Sequence, residues 1–422
     1  MTKKIAMCVA AALLAGCSDL TKVDAPDLVQ RPSLENANGA VTMFYGAVKA
    51  FYSGANSMIS SSALFADEVT LAATTTVGLD QRVNPDLSGS GGFSTQSTMR
   101  AYQLQTLGVL RSALPAQRWR MGAVFNFLAF HELWLAEAVC SGTPLGSLTA
   151  DFAPVWGPPL TNVELLQRAL ADFDSALVYS TDSVRFVNLA AMGRGRTLLA
   201  LNRLNDAAAA VSAVPTSYAF ATEHSAATIS NSFGSTFVAG GGQTLADREG
   251  INGLNFISAN DPRVATTLVG RGGDGSTNVY RLNRISAVTS PHIIATGTEA
   301  RLIEGEAALR AGDVAGWLAK LNDLRATAIS PAMTPLTDPG TTNSRVDLLF
   351  RERAFWLYLT GHRMGDLRRL LRQYGRTQET TYPTGPYKYG GSYGSDVVVG
   401  IDIAEVQLNP LLNGKGCTDR NP

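Results

Sequence analysis

Residues 344–375 read SRVDLLFRERAFWLYLTGHRMGDLRRLLRQYG, and their pattern predicts two helices joined by a turn. Ser344 followed by Asp347 is a capping-box-like start, with side chains placed to satisfy the first free N–H groups of a helix. Leu349, Phe350, Ala354, Leu357 and Tyr358 recur every three or four residues, which makes one face apolar, with Arg351, Glu352 and Arg353 supplying charge around it. Gly361 is free to take φ > 0 and should end that helix. A second helix over residues 364–373 turns Leu367, Leu370 and Leu371 inward and Arg368, Arg369 and Arg372 outward. The expected unit is a helical hairpin.

The N-terminus carries a different signal. Lys3 and Lys4 precede an apolar run over residues 5–14, which ends in Leu14-Ala15-Gly16-Cys17. Such a run is too short to span a bilayer, and small residues before a Cys suit a lipoprotein signal peptidase. Residues 1–16 therefore read as a lipoprotein signal peptide, Cys17 as the lipid-attachment residue, and residues 17–33 as an acidic extended tether. Two or more acyl chains, at about 0.8 kcal/mol per buried methylene, anchor a domain firmly. Loss of Lys3 and Lys4 leaves 33 basic residues against 35 acidic ones. Nucleic acid is excluded as a partner, since it needs a concentrated basic surface. Cys140 and Cys417 remain as free thiols or as one long-range disulfide. An oxidising exterior and the Gly-rich surroundings of Cys417 favour the bridge.

Residues 34–422 show no linker between self-contained patterns and read as one domain. Helices are expected over residues 34–52, 57–73, 99–113 and 118–139, the last apolar on most sides with His131 as a hydrogen-bonded core residue. Residues 74–98 form a long polar loop, and Thr161 to Glu164 is a plausible capping box. Gly195, Leu198, Asn202, Leu204 and Ala207 match Gly305, Ala308, Gly312, Val314 and Trp317 in spacing. Both groups look like degenerate tetratricopeptide repeats, whose helix pairs stack into a curved shell. Between them, residues 216–292 form a loop-rich insert with short strands. Its Gly270-Arg271-Gly272-Gly273-Asp274-Gly275 fits G-x-G-x-x-G but lacks a following helix, so it reads as a turn rather than a dinucleotide site.

Several of these features together resemble the SusD/RagB family of outer-membrane nutrient-binding lipoproteins. The lipobox, Phe65-Ala66-Asp67-Glu68, residues 141–176, the repeats, the order Arg351-Glu352-Arg353, Gly361-His362-Arg363 and Asp366-Leu367-Arg368-Arg369, and the closing VVVGIDIAEVQLNP over residues 397–410 carry the likeness. The usual proline-rich entry to the closing strand-and-turn motif is missing. The resemblance implies a mostly α SusD-like fold. It also implies a lipid-anchored protein exposed on the outer membrane, which captures an oligosaccharide or other nutrient and caps a SusC-like TonB-dependent transporter. Glu352, Arg363 and Asp366 would be ion-pairing groups that fix the hairpin. A membrane-tethered, tetratricopeptide-like scaffold that binds only protein is the alternative.

Nothing in the sequence is positive evidence for an enzyme or a cofactor. His131, His224, His292 and His362 are far apart, with no pair at metal-ligand spacing. Asp247, Glu249, Asp261 and Asp274 are the candidate acids for a paired-carboxylate glycosidase, although solvated loop acids are the plainer reading. A sugar site would offer rings and planar polar groups where the insert meets the 74–98 loop. Tyr218, Phe220, Phe233, Phe237 and Tyr280 are the rings available. Phe233, Tyr280, Asp80, Arg82 and Asn84 are the expected ligand contacts. All five tryptophans fall in or beside segments needed for helix packing, leaving none as an evident sugar platform.

Overall fold

The computed structural model describes residues 34–74, 77–83, 91–149 and 153–421. Cys17, the tether and Asn84 lie outside the described residues. The first helix, α1 (Ala37–Phe65), is capped by the Asn36 side chain, which accepts from the Gly39 N–H at 3.0 Å. It runs through the break expected near residue 54. Gly54 there serves a close helix crossing and not a turn, since a Cβ would lie 2.9 Å from the His131 ring. After β1 (Val69–Leu71) and the short α2 (Val77–Gln81) come two long helices, α3 (Gly91–Ala113) and α4 (Arg118–Ala138).

Helix α4 is the axis of the core. Nearly all of its residues after Arg120 are buried, as an all-round apolar helix must be. Phe51 of α1 stacks on Phe127 at 4.3 Å and on Trp134 at 5.6 Å, and truncating a ring in such a cluster costs about 3–5 kcal/mol. His131 is fully buried, with Nδ1 2.7 Å from Gln96 Oε1. Two short ribbons follow, β2 (Thr143–Pro144) paired with β5 (Pro159–Leu160) and β3 (Ser147–Leu148) paired with β4 (Pro154–Val155). Helix α5 (Asn162–Tyr179) begins with the expected capping box between Thr161 and Glu164.

The first repeat pair is α6 (Val184–Ala200) with α7 (Leu204–Val211). Gly195 is required where they cross, because a Cβ would sit 2.4 Å from a Val211 methyl. The insert contributes β6 (Ala219–Thr222), α8 (Ser232–Thr236), β7 (Gln243–Leu245), β8 (Thr266–Arg271), β9 (Asn278–Leu282) and β10 (His292–Thr296). Its strands pair antiparallel as β6 with β10, β8 with β9, and β7 with the distant β1. The glycine-rich run forms the turn of the β8–β9 hairpin. The second repeat pair, α9 (Gly297–Arg310) and α10 (Val314–Thr327), packs against the first.

The hairpin that opened the sequence reading is α11 (Thr342–Trp356) and α12 (Arg363–Tyr374). The cap of α11 is Thr341, not Ser344, and the helix stops at Trp356, with a turn before Gly361 at φ +79°. Arg368 and Arg369 are buried, not outward, because carboxylates and carbonyls inside the core receive them. Arg369 pairs with Asp366 at 3.1 Å and with Glu306, and Arg368 Nη1 donates to the Ala136 carbonyl at 2.9 Å. Arg353 also meets Asp366, at 2.8 Å. Glu352 pairs with Arg263 at 2.6 Å and Arg325 at 3.0 Å, and Arg363 with Asp67 at 2.6 Å. These charges therefore tie the hairpin to the insert, the second repeat and the end of α1.

After the four-residue α13 (Gln378–Thr381), residues 397–410 form no extended closing strand. Val399 makes a single parallel bridge to Val139, and then α14 (Ile403–Leu408) forms under an Asp402 cap. Cys140 and Cys417 are joined, with an S–S distance of 2.09 Å. No helix among the described residues is long and apolar enough to cross a membrane.

Candidate functional site

Three of the expected ligand contacts are buried and held by the protein itself. Asp80 accepts from Thr70 Oγ1 at 3.0 Å, the Leu71 N–H at 3.1 Å and Tyr387 OH at 2.8 Å, and burial pushes its carboxyl up to about 6. Arg82 donates to the carbonyls of Asp396 (2.9 Å) and Pro383 and lies over the Tyr382 ring. Phe233 stacks on Phe237 at 5.1 Å and packs against His292. None of the three presents a face to a ligand, which corrects that expectation. Tyr280 is half-buried on β9, opposite the exposed Leu268 of β8.

The insert acids are likewise occupied separately. Asp247 accepts from the N–H groups of Ile257 and Ser258, and Asp261 pairs with Arg263 at 2.6 Å. Glu249 and Asp274 instead hold tail tyrosines. Tyr393 OH donates to Glu249 at 2.8 Å and Tyr389 OH to Asp274 at 2.6 Å, beside Tyr387 on Asp80. The three rings pack edge to face at 5.2 and 5.8 Å. This corner fastens residues 387–393 to the insert and to β1. Its sequence signal, three tyrosines among glycines in YKYGGSY, was available to inspection.

A cleft of about 350 Å³ opens elsewhere, between the N-terminal half of α3, the end of α4, the short ribbons and the segment around α14. Its floor includes Leu135, Val139 and Pro144; Trp156, Asp402 and Glu405 are part of its lining, and Thr98 adds a hydroxyl. Trp156 does not pack between helices. It follows β4, and the residue is 38 % exposed, so a tryptophan is accessible from solvent after all.

The backbone explains why that ring sits there. Gly157 can lie against the Leu145 carbonyl only because it lacks a side chain, since a Cβ would meet that oxygen at 2.2 Å. The buried Asn409 amide then donates both to the Gly157 carbonyl, at 3.0 Å, and to Glu405 Oε1, at 2.9 Å. Its oxygen accepts from the Leu411 N–H at 3.0 Å. One amide thus fixes the ring's segment and the carboxylate relative to each other. Behind it, Cys140 N–H donates to the Val399 carbonyl and Val399 N–H to the Ala138 carbonyl, each at 2.9 Å. The disulfide closes the same junction.

A second cavity, of about 310 Å³, lies between α3, α4 and α5 and is lined by Arg100, Glu132, Arg168 and Asp172 among others. Glu132 accepts from Arg100 Nε at 2.6 Å. Burial raises both carboxyls, and the proximity of Glu132 helps push Asp172 up to about 8. Like charges this close disfavour simultaneous ionisation, so the pair favours the protonated form of Asp172. Among the described residues no group of three or more His, Cys, Asp or Glu side chains could hold a metal ion.

Neither a protein-family model nor a curated protein matches the chain. Solved structures do. A SusD-like protein from Bacteroides fragilis NCTC 9343 is 13 % identical, with 94 % of this chain and 100 % of that one aligned at a TM-score of 0.67. The surface glycan-binding protein A of Bacteroides uniformis is 12 % identical, with 88 % and 98 % covered at 0.63. A SusD-like carbohydrate binding protein from Bacteroides vulgatus ATCC 8482 is 12 % identical, with 79 % and 83 % covered at 0.59.

Proposed function

The chain has the SusD-like helical fold, and from that premise we propose that it is a lipid-anchored protein of the outer-membrane surface that binds a carbohydrate nutrient. It captures an oligosaccharide, caps a SusC-like TonB-dependent transporter and delivers the ligand to it, without catalysing a reaction. The single observation that carries the ligand class is the cleft where the accessible Trp156 ring meets Asp402 and Glu405. Sugars bind in this way elsewhere, with the apolar face of a pyranose on an aromatic ring and hydroxyls donating to planar acceptors. Two of the solved structures of this fold are named for binding carbohydrate or glycan. Tyr280 on the β8–β9 hairpin is a second ring within reach of solvent.

The test has two parts. Affinity purification of the tagged protein from detergent-solubilised outer membranes should recover a stoichiometric barrel transporter. Titration with oligosaccharides, followed by Trp fluorescence, should saturate in the wild type and be lost in Trp156→Ala. A tight protein partner with no saturable sugar would favour the scaffold reading.

A further inference from the structure

We infer that the Trp156 cleft selects uncharged oligosaccharides and rejects those bearing carboxylates or sulfates, a selectivity that rests on the carbohydrate reading above. Among the described residues, every ionisable side chain lining the cleft is acidic: Asp402 and Glu405 line it, and no Lys, Arg or His does so. The remaining polar lining is hydroxyls, from Thr95, Ser97, Thr98 and Thr143.

Hydroxyl groups of a neutral sugar can donate to a carboxylate, giving a charge-assisted bond shorter and stronger than a neutral one. A uronate or sulfate in the same place meets like charge, with no guanidinium or ammonium among the described lining residues to receive it, and like-charge juxtaposition is an efficient means of discrimination. The carboxylates cannot readily turn away. Glu405 is held by the Asn409 amide at 2.9 Å, and Asp402 accepts from the Ala404 N–H at 2.8 Å as the cap of α14. Their charge is therefore a fixed property of the wall.

The cleft's volume, about 350 Å³, is at the small end of ligand sites. It receives a short stretch of sugar while the rest of a longer chain remains outside. Selection accordingly acts on the units seated against Trp156 and not on charge borne further along.

The experiment is a paired titration of the full-length protein with size-matched neutral gluco- and xylo-oligosaccharides and with oligogalacturonides, at low and at physiological salt. The neutral set should bind at least tenfold more tightly at low salt, with the gap narrowing as salt screens the repulsion. Glu405→Gln should weaken the neutral ligand severalfold while improving the acidic one relative to it. Equal or tighter binding of the oligogalacturonides, or a Glu405→Gln variant with unchanged discrimination, overturns the selectivity and leaves the carbohydrate reading standing. Failure of both sets to bind a folded protein with wild-type circular dichroism overturns both.

Discussion

Asn409 donates its side-chain N–H to the Gly157 carbonyl at 3.0 Å across 252 residues of chain. The segments that carry Trp156 and Glu405 are thereby joined where both line one cleft. Asn409→Ala leaves the Gly157 carbonyl and its own surroundings without a partner, a loss of about 1–3 kcal/mol for a buried group. The expected outcome is a folded protein with a lower Tm and oligosaccharide affinity weakened about tenfold, read by calorimetry and Trp fluorescence. Unchanged affinity would detach Asn409 from the site.

The disulfide between Cys140 and Cys417 encloses a long loop, and bridges of this kind contribute about 2–5 kcal/mol. Cys417→Ser is the better replacement because Cys140 is fully buried. Its urea midpoint should fall, and dithiothreitol should lower the wild type to the same value but leave the variant where it is.

Asp67 and Arg363 form a buried two-bonded pair at 2.6 and 2.8 Å. Asp67→Ala should cost about 3–5 kcal/mol, since it strands a buried guanidinium. Replacing both partners with apolar residues of similar size should be milder than that single change. Denaturant unfolding of the three variants checks the order.

The Glu132–Asp172 pair predicts a pH dependence with a definite sign. Asp172 titrates near 8 in the fold and near 4 unfolded, so the native state holds the extra proton between those values. Its contribution to stability is complete below about pH 4 and declines as pH rises to 8. Asp80, pushed up to about 6, adds in the same direction over a narrower window. Asp172→Asn, which imitates the protonated acid, should lose less Tm than the wild type between pH 5 and pH 8. An identical slope would show that Asp172 does not hold the extra proton of the native state.

Much of the frame was legible because it follows local rules. The capping box at Thr161, the buried polar role of His131 and the glycine-dependent crossing at Gly195 each depend on neighbours or on one helix face. The failures have a common cause. Arg368 and Arg369 looked outward because charge normally avoids a core, yet Asp366 on the same helix, and Glu306 and the Ala136 carbonyl from other elements, receive them there. Asp80 and Arg82 looked like ligand groups because a polar loop conceals which of its side chains fold back. Trp156 looked like packing because it lies beside a segment needed for helix packing, whereas β4 and Gly157 hold it at the rim. In each case a distant partner completes the environment: Glu306 and Ala136 for the arginines, Tyr387, Pro383 and Asp396 for Asp80 and Arg82, and Asn409 for the segment after Trp156.

The Asn409 amide also bears on how the protein ages. Spontaneous deamidation of asparagine requires the next residue's backbone nitrogen to attack the side-chain amide, and here that residue is Pro410, whose nitrogen carries no hydrogen. Asn413, exposed and followed by Gly414, has no such protection. Over long storage, chemical wear in this segment should therefore accumulate at Asn413, four residues from an amide on which the cleft depends and which its proline preserves.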